Sequence, residues 1–281
     1  MPEIGGRREP RWYAIGMHRS VPHPLDIGRE VAFGLLGALA YFGVRGITEG
    51  NVAVAHENAK EVVAFEKAFG MYWELQLQEL VIDSGWIVTF MNWVYIYGHW
   101  PVIGAVAAWL LLRDPDAYRL YRNAFLISGA IGLVVFATYP LAPPRLADLE
   151  IIDTVSEQSR SFQYLQPPTF VNQYAAMPSL HVGWNILIGI ALVKSAASYL
   201  PLKVFGWVMP TLMAISVVLT ANHYLIDGVV GALVALFGLW LAHRFVDWRK
   251  DPPRWWPAPG SGRERTGASS AGRATVRRRG L

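Results

Sequence analysis

VFGWVMPTLMAISVVLTANHYLIDGVVGALVALFGLWLA, residues 204–242, holds two long apolar runs joined by a short polar link. The runs cover Val204 to Ala221 and Gly228 to Ala242, and the link between them carries His223 and Asp227. A helix needs about 20 residues to cross a hydrocarbon core of ~30 Å, and somewhat fewer when flanking charges reach the interface. Isolated strands cannot satisfy their backbone groups in lipid, and no ten-residue alternation is present, so each run is expected to be helical.

Four further runs lie upstream: Val31 to Ile47, Trp86 to Leu112 with His99 and Pro101 near its middle, Ala124 to Tyr139, and Pro178 to Val193. The expected fold is therefore all-α, a polytopic membrane bundle of about six transmembrane helices over residues 31–243. Composition agrees, because 53% of the 281 residues are hydrophobic and only 16% charged, where soluble domains carry about a quarter charged. The first run could be read as a signal peptide around Ala38-Leu39-Ala40, but a thirty-residue leader before it is too long. The absence of cysteine excludes disulfides, thiolate zinc and a cysteine nucleophile.

Basic residues collect on alternate connections. The segments before the first run, between the second and third, between the fourth and fifth, and after the sixth hold 20 of the 25 Lys and Arg. By the positive-inside rule both termini are expected in the cytoplasm of a multi-pass cell-membrane protein. The N-terminus, 1–30, is then a basic cytoplasmic segment, and 244–281 a mostly disordered, Pro/Gly/Ser/Arg-rich cytoplasmic tail ending in Arg277-Arg278-Arg279. Residues 1–243 carry a net charge of −3 and the tail +7, so the high pI belongs to the tail and gives no reason to expect a nucleic-acid partner. Residues 48–85 and the loop 141–177 fall outside. The former mixes Glu57, Glu61, Glu66, Glu74 and Glu79 with Val62, Phe65, Phe69 and Trp73, a pattern for an amphipathic helix lying at the interface or packing on the bundle.

Three polar blocks fall on that same face. Ala142-Pro143-Pro144-Arg145 follows the third run, Pro178-Ser179-Leu180-His181 opens the fourth, and Asn222-His223-Tyr224-Leu225-Ile226-Asp227 links the last two. A helix starting at the potential N-cap Asn222 would put His223 and Asp227 on one face, where a carboxylate can orient an imidazole. Arg145 suits phosphoryl oxygens, and the amides after Pro178, an N1-compatible residue, add donors. Charge stabilisation, a nucleophile and a proton source are what phosphoryl transfer requires.

These blocks resemble the signatures of the type-2 phosphatidic acid phosphatase superfamily, over about residues 86–243, and in their closer forms its inositol phosphotransferase branch. The resemblance implies a membrane enzyme acting on a lipid phosphate or phosphodiester through a phosphohistidine. His223 would be the nucleophile, Asp227 its orienting carboxylate and His181 the acid, with Arg145 and Ser179 gripping phosphate; no metal or other cofactor is implied. Thr138, Val217 and Leu180 depart from that pattern, the first two standing where it has Lys and Arg, so Lys60 or Lys67 would have to substitute, or the bound group is less charged. Two other readings of the residues stay open, a two-histidine, one-carboxylate metal site and an anion transporter without catalysis. His99 reads as a structural histidine, and Phe162, Tyr164, Phe170 and Tyr174 as shaping the acceptor side of the loop.

Overall fold

Apolar length decides which segments become long helices, and proline decides where several start. The computed structural model describes residues 24–47, 51–158 and 172–250. It contains α1 (Pro24–Ile47), α2 (Val52–Ala68), α3 (Glu74–Glu79), α4 (Gly85–Tyr97), α5 (Trp100–Arg113), α6 (Pro115–Thr138), a 3₁₀ turn at Pro144–Leu146, α7 (Thr154–Gln158), α8 (Leu180–Ser195), α9 (Leu200–Leu219) and α10 (Leu225–Lys250). Pro101, Pro115 and Pro201 sit in the first turns of α5, α6 and α9, where the missing N–H costs nothing.

Among the described residues three helices, α6, α9 and α10 through Phe245, are long and apolar enough to cross a membrane, and a fourth span arises if α4 and α5 count together. The expected count of six is not confirmed by these criteria. The run from Trp86 to Leu112 is two helices bent by 47° at Gly98 and His99, and α8 is an apolar helix of only 16 residues. The all-helical bundle itself is as expected; among the described residues the β-structure is one parallel bridge, Leu141 to Ala175.

α8 forms the axis, packing on α9, α6 and α5. Leu187, Ile188, Ala191 and Leu192 are buried there among Val106, Leu110, Ala124 and Leu239. Side chains on the outward faces are large and apolar, including Leu36, Leu39, Trp86, Leu112, Val134, Trp207 and Leu233, each more than half exposed, as lipid contact requires. Glu30 of α1 meets Arg119 and Arg122 of α6. At the opposite end α2 buries Ala55, Ala59, Val62 and Val63 against Leu141, Ala142, Ala176 and Tyr224. Of the two readings of 48–85, packing on the bundle holds for this face, while Phe65, Phe69 and Trp73 stay exposed on the other.

The chain divides into a unit ending at Ala242 and another beginning at His243, and every residue of the site below lies in the first. The expected N-terminal segment up to His23, most of the tail, and Phe162, Tyr164 and Phe170 lie outside the described residues.

Candidate active site

The link after α9 doubles back instead of starting a helix. The amides of Asn222 and His223 both reach the Val217 carbonyl, at 3.0 and 3.1 Å. Ala221 has φ 58°, a left-handed conformation costing roughly 1–2 kcal/mol for a residue with a Cβ, of the kind that gathers at functional sites. α10 begins at Leu225, so Asn222 is not its N-cap: its amide nitrogen donates to Thr220 and its oxygen accepts from Arg145. His223 lies before the helix, not on its face, and meets Asp227 because the turn folds over the helix end. Nδ1 of His223 is 3.5 Å from Oδ2 of Asp227. It is closer, 2.8 Å, to the carbonyl oxygen of Ala176. A carbonyl can only accept, so Nδ1 carries the proton and Nε2 keeps its lone pair.

Ala176 is placed there by the first block. Leu141 and residues 174–176 pair through Leu141 N to Tyr174 O (2.7 Å) and Ala176 N to Leu141 O (3.3 Å). Ala142 N donates to Ala55 O of α2 at 3.1 Å, and the Tyr224 hydroxyl donates to Ala142 O at 3.1 Å. Burial and the nearby carboxylates, Asp227 foremost, push the Tyr224 phenol far up, keeping it a donor.

Three carboxylates then cap α10. Consecutive amides of Tyr224, Leu225 and Ile226 donate to Asp227 Oδ2, Glu74 Oε1 and Glu66 Oε1, at 2.9, 2.8 and 2.8 Å. All three side chains are buried. Helix N-termini favour negative charge, but three carboxylates exceed what one end can balance. Burial pushes the Glu66 carboxyl up to about 8, against the pull of the Ile226 amide, with Glu74 and Asp227 adding to the rise. Glu66 and Glu74 escape a sequence reading that counts them among surface acids.

His181 is the second residue of α8. Pro178 precedes the N-cap, Ser179, and so is not at N1; the Met177–Pro178 peptide is cis. Ser179 N donates to the Asp227 carbonyl at 2.9 Å. Its Oγ is buried and has no hydrogen-bond partner among the described residues, a donor available to a ligand. The approach is close because a Cβ on Gly231 would overlap the Ser179 carbonyl. Ring centroids of His181 and His223 lie 5.8 Å apart, and Tyr95 of α4 stacks on His181 at 4.7 Å.

Arg145 is tied to the same turn. Its amide donates to the Ala221 carbonyl at 3.0 Å, its Nε to Asn222 at 3.1 Å and its Nη1 to Asp153 at 2.9 Å. Asp153 is a further residue of the site that the sequence reading does not select, and Asn222, read there as a helix cap, instead accepts from Arg145. The substitute cations do not point inward. Lys60 pairs with Glu57 at 3.2 Å on an exposed surface, and Lys67 lies over the Tyr72 ring. Thr138 bonds back to Val134, and Val217 is a buried core residue. Among the described residues no group of three or more histidines and carboxylates has metal-holding geometry.

The crystal structure of Aquifex aeolicus LpxE is similar, with a TM-score of 0.45 and 16% identity over 60% of this chain and 94% of that one. No curated protein matches by sequence. A family model described as the PAP2 superfamily matches residues 60–241, from α2 into α10. With well over half of its length matched, this chain belongs to the PAP2 superfamily.

Proposed function

We propose that the chain transfers a phosphoryl group, or a headgroup-bearing phosphoryl group, from a lipid phosphate or phosphodiester through a phosphohistidine on His223. The observation that carries this reading is the hydrogen bond from His223 Nδ1 to the Ala176 carbonyl, which leaves Nε2 as the nucleophile. Its lone pair forms the P–N bond as the P–O bond to the lipid breaks, and the leaving alkoxide takes a proton from His181. Water or an acceptor hydroxyl then gives its proton to His181, attacks phosphorus and breaks the P–N bond, restoring both histidines. Arg145, through its remaining nitrogen Nη2, and Ser179 Oγ hold the phosphoryl oxygens. No metal takes part. The charge asymmetry of the connections supports placing this site at the outer face, with both termini cytoplasmic.

Charge supports the phosphodiester end of this range. Asp153 offsets part of the Arg145 charge, and the positions of Thr138 and Val217 supply none. A monoanionic diester needs less neutralisation than a dianionic monoester, which is the observation favouring the inositol phosphotransferase reading over the phosphatase. The test is turnover by purified protein on lipid phosphates and phosphodiesters, with and without inositol. A new lipid headgroup supports the transferase and free phosphate the phosphatase, vanadate should inhibit and chelators should not. Full turnover by His223→Ala on every substrate the parent cleaves would falsify the mechanism, and solute flux without turnover would support an anion transporter.

A further inference from the structure

The bend between α4 and α5 brings a third histidine to the pair. Gly98 ends α4, and a Cβ there would overlap the Val94 carbonyl and the Met209 methyl, so the chain turns at a position that only glycine fits. The next residue, His99, is directed into the bundle and is buried. Its ring centroid lies 4.1 Å from that of His181, with the planes at 33°. It also lies parallel to Trp184, at 5.7 Å and 6°. Trp184 is itself fixed by its Nε1 donating to Ser128 Oγ at 3.1 Å.

Asn185 connects the two histidines. Its amide nitrogen donates to the His181 carbonyl at 2.9 Å and lies 3.3 Å from Nδ1 of His99. The carbonyl identifies which end of the amide is the nitrogen, and an amide nitrogen can only donate. Nδ1 of His99 is therefore the acceptor, the ring proton sits on Nε2, and the ring facing His181 is neutral. A neutral ring there is compatible with a His181 that gains and loses a proton in each cycle, whereas a second imidazolium at 4.1 Å would oppose it.

We propose that His99 is a positioning residue: held by Asn185, its neutral ring joins Tyr95 in fixing the imidazole of His181 where that group can deliver a proton to the leaving oxygen. The proposal rests on His181 as the acid. Its consequence is selective. An alkyl oxygen leaves poorly without a proton, while p-nitrophenolate leaves well without one, so a misplaced acid slows the first reaction far more than the second. A general disturbance of the fold slows both alike.

The experiment compares kcat on a dialkylglycerol phosphate or phosphodiester, whichever the parent turns over, and on the p-nitrophenyl ester of the same phosphoryl group, for the parent, His99→Ala and His181→Ala, in the same detergent. For His99→Ala the expected result is a loss of at least about tenfold on the lipid, in the range set by a misplaced catalytic group, with KM within about twofold and little loss on the aryl ester. Equal losses on the two substrates, or none, overturn the proposal. His181→Ala separates the two ways of failing. Discrimination in that variant without discrimination in His99→Ala removes His99 alone; its absence from both removes the acid assignment and this role with it. If His99→Ala does not fold, His99→Phe fills the same space without the Asn185 tether, and it should discriminate by about threefold or more, equal losses again overturning the role.

Discussion

Nδ1 of His223 donates to the carbonyl oxygen of Ala176 at 2.8 Å. Asp227, at 3.5 Å from the same nitrogen, is therefore not what selects the tautomer. Where a carboxylate alone sets the tautomer, replacing it with the amide costs about 10⁴ in kcat because the wrong nitrogen is protonated. Here the carbonyl persists. Asp227→Asn should thus lose only the stabilisation of positive charge on His223 in the transition state, about 10²-fold in kcat. Asp227→Ala should lose more, since the Tyr224 amide also loses its acceptor. Steady-state kcat for the two variants checks this, and a loss near 10⁴ for the asparagine form would restore Asp227 as the selector.

Lipid imposes its apolar requirement on every residue of an exposed span, which is why Val204 to Ala221 and Gly228 to Ala242 are legible as the cores of α9 and α10. The order of Arg145, His181, His223 and Asp227 is legible for a related reason, as polar groups at the ends of such runs are conspicuous. The partners are not. Glu74 and Glu66 bond to amides 151 and 160 residues away, and an amphipathic pattern shows which residues avoid apolar surroundings without showing whom they meet. His99 looks solitary in sequence because its neighbours are His181 and Asn185, more than eighty residues on. The start of α10 is misjudged by three residues because Asn222 suits an N-cap chemically, while the actual caps come from distant side chains and Asp227.

Glu66 gives a pH dependence of stability whose sign can be stated. In the unfolded chain its carboxyl ionises near 4.5, whereas burial in the folded protein holds the proton up to about 8. Between those values the unfolded state binds fewer protons, so its contribution, fully present below about 4.5, is lost as pH rises toward 8. Glu66→Gln cannot ionise in either state. The thermal midpoint in detergent should decline across this window in the parent, and the variant should decline less. Parallel profiles would mean that Glu66 is ionised in the folded protein throughout.

Asp153 should set the preference between phosphate charges. It engages Nη1 of Arg145 at 2.9 Å, and Asp153→Asn keeps an acceptor there while removing the negative charge. A dianionic monoester gains more from that change than a monoanionic diester. The ratio of kcat/KM for monoester over diester is expected to rise by about threefold or more, a shift of under 1 kcal/mol in a partly exposed pair. Arg145→Ala should depress both substrates by about 10²-fold or more. An unchanged ratio in Asp153→Asn would show that Arg145 does not meet the phosphate through the charge that Asp153 offsets.

Gly231 links packing to chemistry. A methyl group there would overlap the Ser179 carbonyl, and Gly183 of α8 faces the Gly231 carbonyl just as closely. Ser179 is also held by the Asp227 carbonyl, so the two helices touch at the level of the site. Gly231→Ala must push α8 away from α10, moving Ser179 and His181 relative to His223, with an overpacking cost of about 1–3 kcal/mol. Gly228 is the control on the same helix, since a Cβ there meets only Val182 at ordinary contact distance, 3.6 Å. Gly228→Ala should therefore keep both the thermal midpoint and kcat near the parent's, whereas Gly231→Ala should lower both. The activity loss should exceed what the unfolded fraction explains, because a shift of about 1 Å between reacting groups can cost 10²-fold. Equal behaviour of the two alanine variants would mean that the α8–α10 contact does not set the histidine geometry.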